Sequence, residues 1–214
     1  MTWTEAIAAA TGLLSVWLTV RQNLWLWPTG IISVLLYTWV FAGAKLYSDA
    51  GLQVVYLVVS IYGWAHWAKG GPRESGLPVT TLSPSARAVC GLGVLAGAAG
   101  LGTLMAHYTD AALPYPDALV TSASIAAQWL LARKKLENWW LWIGVDVLGI
   151  GVFVYKGLSL TAGLYAVFLV MAILGLREWT HAKHRAGASS SASSCPHTPD
   201  TGSSSTSPGS SAAS

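Results

Sequence analysis

The sequence predicts an all-α polytopic membrane protein with seven transmembrane helices. Two observations carry this prediction. The 214-residue chain is 53% hydrophobic and only 10% charged, whereas soluble domains carry about 25% charged residues. Uncharged runs also recur along the chain, and about 20 apolar residues are enough to cross a bilayer. The runs are continuous rather than alternating, which favours helices over a β-barrel.

The seven candidate helices occupy residues 6–20, 22–44, 50–68, 88–109, 118–132, 138–155 and 157–176. Charged residues separate most of them, and the two longer breaks contain several prolines, which are typical of loops. Residues 1–5 carry no basic side chain, so the first run is expected to be a retained helix rather than a cleaved signal peptide. The Ser-rich end of the chain is expected to be a disordered tail.

Lysine and arginine are distributed unevenly between the predicted loops. With seven helices, one side of the membrane would carry only Lys45 and Lys156. The other side would carry the remaining ten basic residues, which are Arg21, Lys69, Arg73, Arg87, Arg133, Lys134, Lys135, Arg177, Lys183 and Arg185. Because positive residues stay on the cytoplasmic side, the N-terminus is expected outside and the C-terminal tail in the cytoplasm.

The chain contains an internal repeat. Trp17 and Arg21 match Trp129 and Arg133 at one constant spacing, and the same spacing relates helix 3 to helix 7 through four pairs: Gln53 and Tyr165, Tyr56 and Phe168, Gly63 and Gly175, Trp67 and Trp179. The run that begins at Asn23 resembles the run that begins at Asn138 if a small insertion precedes Asn138. Helices 1–3 therefore resemble helices 5–7, and helix 4 has no counterpart.

This repeat predicts a three-plus-one-plus-three organisation. Residues 1–68 form the first three-helix repeat, 69–87 a cytoplasmic loop, 88–109 the linker helix, 110–180 the second repeat and 181–214 the disordered tail. Three helices reverse the direction of the chain and the linker helix reverses it again, so the repeats are parallel, and the substrate path is expected at their interface. The glycine-rich linker helix could pack closely as a connector or an oligomer contact.

Asp146 is the only acid deep inside a predicted span, and such a residue is a functional candidate by default. Trp139 and Trp142 share its helical face. Polar and aromatic residues also share one face of helix 2 (Asn23, Trp27, Gly30, Tyr37) and one face of helix 3 (Gln53, Tyr56, Ser60, Gly63, Trp67), and Gln128 lies in helix 5. A pocket of indoles with amide and carboxylate groups suits a flat, polar and cationic ring.

Several other functions lack the residues that they need. Net charge is only +3, so no nucleic-acid partner is expected. Cys90 and Cys195 predict no disulfide framework, and no histidines stand at metal-site spacing on a span. The motifs of metalloproteases, serine hydrolases and P-loop pumps are missing. An intramembrane transferase would need a cluster of acids or histidines at one depth, and a seven-helix receptor would have no internal repeat. We therefore expect neither an enzyme nor a bound cofactor.

Four stretches carry a family resemblance: Trp27-Pro28-x-Gly30-Ile31, Leu46-Tyr47-x-Asp49-x-x-Leu52-Gln53-x-x-Tyr56, Tyr62-Gly63-Trp64-x-x-Trp67 and Arg133-Lys134-Lys135-x-Glu137-Asn138-Trp139-x-x-Trp142. The chain resembles the PnuC family of bacterial vitamin transporters, whose best-known members carry nicotinamide riboside. The resemblance implies a fold like that of the SWEET sugar transporters, a homotrimer and a location in the bacterial inner membrane. It also implies facilitated diffusion, with a separate cytoplasmic kinase that traps the substrate for NAD biosynthesis.

Carried onto this sequence, the resemblance implies a substrate site that contains Asn23, Gln53, Tyr56, Trp64, Trp67, Asn138, Trp139 and Trp142. Nicotinamide riboside holds a cationic pyridinium, which agrees with an aromatic pocket that contains one acid, Asp146. Thiamine is also a flat cation, and riboflavin is also flat, so both remain alternatives. A small sugar is a further alternative on the same plan, because tryptophans stack on sugars too.

Overall fold

Seven α-helices make up most of the computed structural model, which describes residues 3–43, 47–69, 77–109 and 112–193. The helices are α1 (Trp3–Val20), α2 (Leu26–Gly43), α3 (Tyr47–Ala68), α4 (Pro84–Tyr108), α5 (Pro114–Ala132), α6 (Asn138–Tyr155) and α7 (Ser159–Ser193). The only β-type pairing in the described chain is an isolated bridge between Thr80 and Lys135. The prediction of an all-helical chain with seven helices is confirmed.

Helix α6 has the predicted bounds, whereas α4 and α5 begin about four residues earlier than the sequence predicted. Both start on a proline that was assigned to a loop. Proline is favoured in a first helical turn, where the amide hydrogen that it lacks would have no partner within the helix. In α4, the hydroxyl of Ser83 caps the turn by accepting a hydrogen bond from the Ala86 amide at 3.2 Å.

Helix α7 continues to Ser193, beyond position 181 where the disordered tail was predicted to begin. Residues 181–188 contain alanine, lysine and arginine, which favour propagation of an existing helix. The rest of the predicted tail, 194–214, lies outside the described residues. So do the parts of the predicted breaks at 44–46, 70–76 and 110–111.

Within the described ranges, three helical segments are long and apolar enough to cross a membrane by length and composition: α4, α6 and the part of α7 at Ser159–Ala186. Shorter apolar stretches occur at Ile7–Val20 and Leu26–Val40. Helices α3 and α5 are less apolar because they carry hydroxyl side chains on buried faces, including Ser60, Ser122 and Ser124. Large apolar residues cover the outside instead, and on α4 they include Val89, Leu92 and Leu95. This distribution is that of a helical membrane protein.

Six helices pack in a closed ring. Neighbouring helices contact each other within α1–α2–α3 and within α5–α6–α7, and the ring is closed by contacts of α3 with α5 and of α1 with α7. Helix α4 packs against α5, outside the ring. The substrate candidates of both triplets therefore belong to one ring of helices.

The two triplets share local geometry at positions 112 residues apart. Gln22 and Lys134 both have a positive φ, 54° and 51°. The guanidinium of Arg21 lies 5.2 Å from the Trp17 ring centroid, and that of Arg133 lies 4.7 Å from the Trp129 ring centroid. The spacing continues through the α1–α2 and α5–α6 turns, so Asn23 corresponds to Lys135, not to Asn138. The insertion proposed from the sequence is therefore absent, and Trp27 corresponds to Trp139.

Two glycines allow these tryptophans to enter the helix packing. A Cβ atom on Gly63 would overlap the Trp27 ring, and a Cβ atom on Gly175 would overlap the Trp139 ring. Trp27 and Trp139 are 1% and 2% exposed, so neither ring can move aside into solvent or lipid. Each triplet therefore fixes its middle helix on its third helix through one tryptophan and one glycine.

We expect Gly63→Ala and Gly175→Ala each to destabilise the protein by about 1–3 kcal/mol, because an added methyl group overpacks a closed site. The measurement is the thermal unfolding midpoint in detergent. Gly91→Ala is the matched control, since a Cβ atom there meets nothing within 4 Å; it should leave the midpoint unchanged or slightly higher. An equal loss in all three variants would contradict the packing argument.

Candidate functional site

Four tryptophans form a buried cluster where the two triplets meet. We call Trp27, Trp67, Trp139 and Trp179 the tryptophan cluster; all four are at most 6% exposed. Within each triplet two rings meet edge to face, with centroids 5.6 Å apart for Trp27 and Trp67 and 5.4 Å apart for Trp139 and Trp179. Trp67 and Trp179 meet across the triplets at 6.0 Å. The cluster lies at the end of the bundle where α1, α3 and α5 end, which we call the basic end.

Two reciprocal sets of hydrogen bonds tie the triplets together at the basic end. The Trp67 indole donates to the carbonyl oxygens of Leu131 and Ala132 at 3.3 and 3.2 Å. The Trp179 indole donates to the carbonyl oxygen of Thr19 at 3.0 Å. Each bond joins the third helix of one triplet to the last turn of the first helix of the other. The Thr19 and Leu131 carbonyl oxygens also accept hydrogen bonds from backbone amides of the turns that follow, at 3.0 and 2.9 Å, so the indoles add a second donor at these helix ends.

Lys134 is buried beneath this cluster. Its side chain is only 3% exposed, and its ammonium nitrogen lies 4.7 Å from the Trp67 ring centroid, a distance at which a cation is attracted to an indole face. Burial lowers the pKa of Lys134 to about 8. Of the three consecutive basic residues 133–135, the middle one is thus directed into the protein.

A second polar group lies nearer the middle of the helices. Asp146 is 4% exposed on α6. Asp146, Tyr56 on α3 and Tyr37 on α2 all lie within electrostatic range of Tyr165 on α7. The Tyr56 hydroxyl forms a hydrogen bond with Ser124 on α5. We call Tyr37, Tyr56, Ser124, Asp146 and Tyr165 the central polar group. Five different helices of the ring contribute to it, so it spans the interface of the two triplets.

Other predicted site residues flank these two groups. Trp142 is half-buried and packs against the tryptophan cluster, while its helical face leads to Asp146 one turn later. Gln128 donates from its amide to the Ser60 hydroxyl at 3.2 Å, which joins α5 to α3. Gln53 is partly buried on α3. Trp142 and Gln128 thus lie at contacts between helices of the ring.

The structure separates three predicted residues from the central polar group. Asn23 is exposed in the turn before α2, where its side-chain oxygen accepts a hydrogen bond from the Trp25 amide. Trp64 is 41% exposed on α3. Asn138 is fully buried but donates to the Lys135 carbonyl oxygen at 2.6 Å, across the α5–α6 turn. Asn23 and Asn138 therefore shape turns, at least in part.

Three buried polar atoms near this interface lack a protein partner within the described chain: the indole nitrogens of Trp27 and Trp139 and the side-chain oxygen of Asn138. Leaving such a group unpaired costs about 1–3 kcal/mol. Trp27 and Trp139 are equivalent positions of the two triplets. The unpaired donors and acceptor could therefore serve a polar ligand between the triplets.

The sequence placed Tyr37 on a helix 2 face that could line the pocket but not among the substrate-binding residues, and it assigned neither Ser124 nor Tyr165 to the site. Two signals were available. Tyr37 shares the polar face of helix 2, and Tyr165 is the repeat counterpart of Gln53. Ser124 had no comparable signal, because a serine in a helix facing its neighbours gives no pattern of its own.

The residues around Asp146 are not repeated in the first triplet. At a spacing of 112 residues, Asp146 corresponds to Val34, Trp142 to Gly30 and Ser124 to Gly12. The scaffold positions, by contrast, are retained, as Trp27 and Trp139 illustrate. A group of polar and aromatic residues that departs from a repeated scaffold is a candidate for chemistry that the scaffold does not need.

Comparison with known proteins assigns the family. Residues 2–181 match the model of the nicotinamide mononucleotide transporter family. The chain belongs to this family. Relatives in the nicotinamide mononucleotide transporter family include the nicotinamide riboside transporter PnuC of Escherichia coli, 26% identical over 87% of this chain and 89% of that protein. The PnuC protein of Neisseria mucosa is 29% identical over 83% of this chain and 72% of its own length.

Two further similarities bear on fold and substrate. The riboflavin/roseoflavin transporter RibM of Streptomyces davaonensis is 27% identical over 83% of this chain and 84% of that protein. A crystal structure of the vitamin B3 transporter PnuC superposes with a TM-score of 0.70 at 27% identity, over 86% of this chain and 83% of that one. The chain is thus a membrane protein of a vitamin transporter family, as the sequence predicted.

Lys134 gives a prediction for the pH dependence of stability. Because its pKa is about 8 when folded and 10.5 in its ordinary state, the unfolded chain binds more protons between these values, and stability should rise with pH across that window. In Lys134→Gln this rise, on the order of 2 kcal/mol, should disappear. Glutamine is the residue that occupies the same backbone conformation at position 22.

The measurement is the unfolding midpoint from pH 7 to 10 in detergent. Lys135→Gln is the control, since Lys135 is only partly buried, and its curve should follow that of the natural protein. Parallel curves for the natural protein and Lys134→Gln would show that Lys134 is not a desolvated ammonium group.

Proposed function

We propose that this chain carries nicotinamide riboside across the bacterial inner membrane by facilitated diffusion and catalyses no reaction. The observation that carries the proposal is the buried carboxyl group of Asp146, within electrostatic range of Tyr165, at the interface of the two triplets. A flat cation would be attracted to an acid among aromatic rings. Three family relatives named above are transporters of nicotinamide riboside or vitamin B3.

Riboflavin is the second candidate, because RibM of S. davaonensis is as similar to this chain as the PnuC relatives are. Riboflavin has a flat ring system but no positive charge, so Asp146 would accept hydrogen bonds from it rather than balance a charge. Thiamine, a flat cation, fits the same residues. A small sugar fits less well, since it would make no use of the acid as a counter-ion.

Within this proposal, the ring of the substrate lies between indoles, with Trp139 and Trp142 as walls. Gln53, Tyr56, Gln128 and Asp146 would hydrogen-bond the amide or ribose. The unpaired indole hydrogen of Trp139 and the side-chain oxygen of Asn138 are further contacts that a substrate could make. Trp64, Trp67 and Asn23 would stabilise the helices and turns around the site and would not contact the substrate.

The proposed mechanism is alternating access by two parallel three-helix repeats. With the linker helix they make seven spans, arranged as in SWEET transporters. Support comes from the contacts that recur at 112 residues and from the closed ring of six helices. The tryptophan cluster would close the basic end in the state described here. The concentration of basic residues there favours a cytoplasmic basic end, an external N-terminus and a cytoplasmic C-terminus.

Two parts of the proposal rest on the family resemblance. A separate cytoplasmic kinase would trap the imported substrate and feed NAD biosynthesis. The transporter would be a homotrimer, and the exposed apolar face of α4, which includes Val89, Leu92 and Leu95, is available for contacts between protomers or with lipid.

The first experiment titrates the purified protein with nicotinamide riboside, thiamine and riboflavin in separate calorimetric runs. We expect saturable binding of nicotinamide riboside and at least tenfold weaker binding of the other two. Tighter binding of riboflavin or thiamine would keep the transporter proposal and replace its substrate. Failure of all three to bind to protein with a cooperative unfolding transition would overturn the substrate proposal.

Asp146→Asn tests the role of the charge. We expect this change to weaken binding of nicotinamide riboside at least tenfold, since a desolvated carboxylate would no longer balance the pyridinium, and to change binding of an uncharged ring much less. Asp117→Asn is the control because it removes a carboxylate that pairs with Lys156 at 2.7 Å, outside the central polar group. Equal affinities in Asp146→Asn and the natural protein would exclude charge balance at this position.

A further inference from the structure

A pocket of about 410 Å³ opens at the basic end, between the last turns of α3 and the α5–α6 turn. Tyr62 and His66 of α3 form one wall, and Arg133 and Lys135 form the other. The segment before α4 completes the lining with Leu77, Pro78 and Thr80. The pocket is separate from the central polar group, because its residues lie at the ends of the helices.

Backbone pairing holds the walls of this pocket in place. The amide of Thr80 donates to the Lys134 carbonyl oxygen at 3.2 Å, and the amide of Leu136 donates to the Thr80 carbonyl oxygen at 2.9 Å. The segment around Thr80 is therefore fixed to the α5–α6 turn, and the pocket does not depend on side-chain contacts alone.

A column of stacked groups orients the Arg133 side chain. The rings of His66 and Tyr62 are stacked at 5.7 Å with planes 7° apart, and those of Tyr62 and Trp129 at 5.1 Å with planes 16° apart. The Arg133 guanidinium then lies 4.7 Å from the Trp129 ring centroid. A guanidinium on an aromatic face keeps its N–H groups free at its edge, and here that edge borders the pocket.

Among the residues that the structure describes, those lining the pocket carry positive charge and no acidic side chain. The ion pairs found among the described residues involve Arg87, Lys156 and Arg185, and none of them involves Arg133 or Lys135. The buried ammonium group of Lys134 lies behind the same wall. Two cationic side chains, an imidazole and two hydroxyl-bearing side chains therefore line one cavity without a described carboxylate.

The repeat shows that the scaffold does not require this set of residues. At the corresponding positions of the other triplet, Arg21 replaces Arg133 with the same stacking on a tryptophan. The other members differ: Tyr62, His66 and Lys135 correspond to Leu174, Glu178 and Asn23. The equivalent interface, between α7 and the α1–α2 turn, thus accommodates an aliphatic residue, an acid and an amide at these positions, and the basic pocket is specific to the interface of α3 with the α5–α6 turn.

We propose that this pocket binds a phosphate group, either of an anionic lipid headgroup or of a soluble phosphate ester. Arginine forms paired hydrogen bonds with phosphate oxygens, and lysine and a hydroxyl add further donors. Basic pockets between helices at a membrane surface have the chemistry and depth that a lipid phosphate needs. This proposal does not depend on the identity of the transported substrate.

The test uses the full chain in nanodiscs of phosphatidylcholine, which carries no net charge, and measures binding of two probes by thermophoresis. The probes are dihexanoyl-phosphatidylglycerol and ribose 5-phosphate. Arg133→Gln combined with Lys135→Asn should weaken binding on the order of 20-fold, at about fivefold for each charge removed near the membrane surface. Lys135→Asn alone, which introduces the residue of the other triplet, should weaken it about fivefold and is expected to fold normally.

The matched control removes two charges elsewhere, Arg21→Gln with Arg177→Asn; both arginines are exposed. It should change binding less than twofold. Preferential binding of the lipid would assign the phosphate to a headgroup, and preferential binding of ribose 5-phosphate would assign it to a soluble ester; both support the proposal. Binding of neither probe, or equal losses in the pocket variant and the control, would overturn it.

Discussion

The reciprocal hydrogen bonds of Trp67 and Trp179 are the interaction on which the arrangement of the two triplets depends. Each indole enters the other triplet and donates to carbonyl oxygens at the end of its first helix. The carbonyl oxygens of Thr19 and Leu131 also accept backbone amides of the turns that follow, so the indole bonds add a link between the triplets to acceptors at helix ends. The bonds therefore hold the ring closed at the basic end. Gly63 and Gly175 make room for Trp27 and Trp139, the other two members of the tryptophan cluster.

The closed basic end suggests how a transporter of this architecture could change between its inward-open and outward-open states. Opening the basic end would separate Trp67 from Leu131 and Trp179 from Thr19, and would expose carbonyl oxygens that water could then satisfy. The cost of the broken bonds is thereby offset on the side that opens to solvent. The ammonium group of buried Lys134 lies over the Trp67 ring, so the same movement would also expose Lys134 to water.

The two triplets share the residues that pack their helices together but differ in the polar and charged residues of the candidate sites. Trp27 and Trp139 occupy equivalent positions of the repeat. In contrast, Asp146 corresponds to Val34, and His66 and Lys135 correspond to Glu178 and Asn23. Packing positions are constrained in both triplets by the same neighbours, since an interior packed to high density tolerates little change in volume. His66 and Lys135 line a pocket, where that constraint is weaker, so the two triplets can differ at these positions.

Composition and hydrophobic runs by themselves determined the helical membrane class and the number of helices. Each span must form its backbone hydrogen bonds within itself and must be apolar over the thickness of the bilayer. Spacing within the chain also revealed the relation of Trp67 to Trp179. Only the tertiary structure decided that Trp27 matches Trp139 and that Tyr37, Ser124 and Tyr165 join Asp146, since these relations depend on contacts between helices. It also separated the outward Arg133 and Lys135 from the inward Lys134: three consecutive basic residues look alike in sequence, and the positive φ of a single turn residue directs one of them into the core.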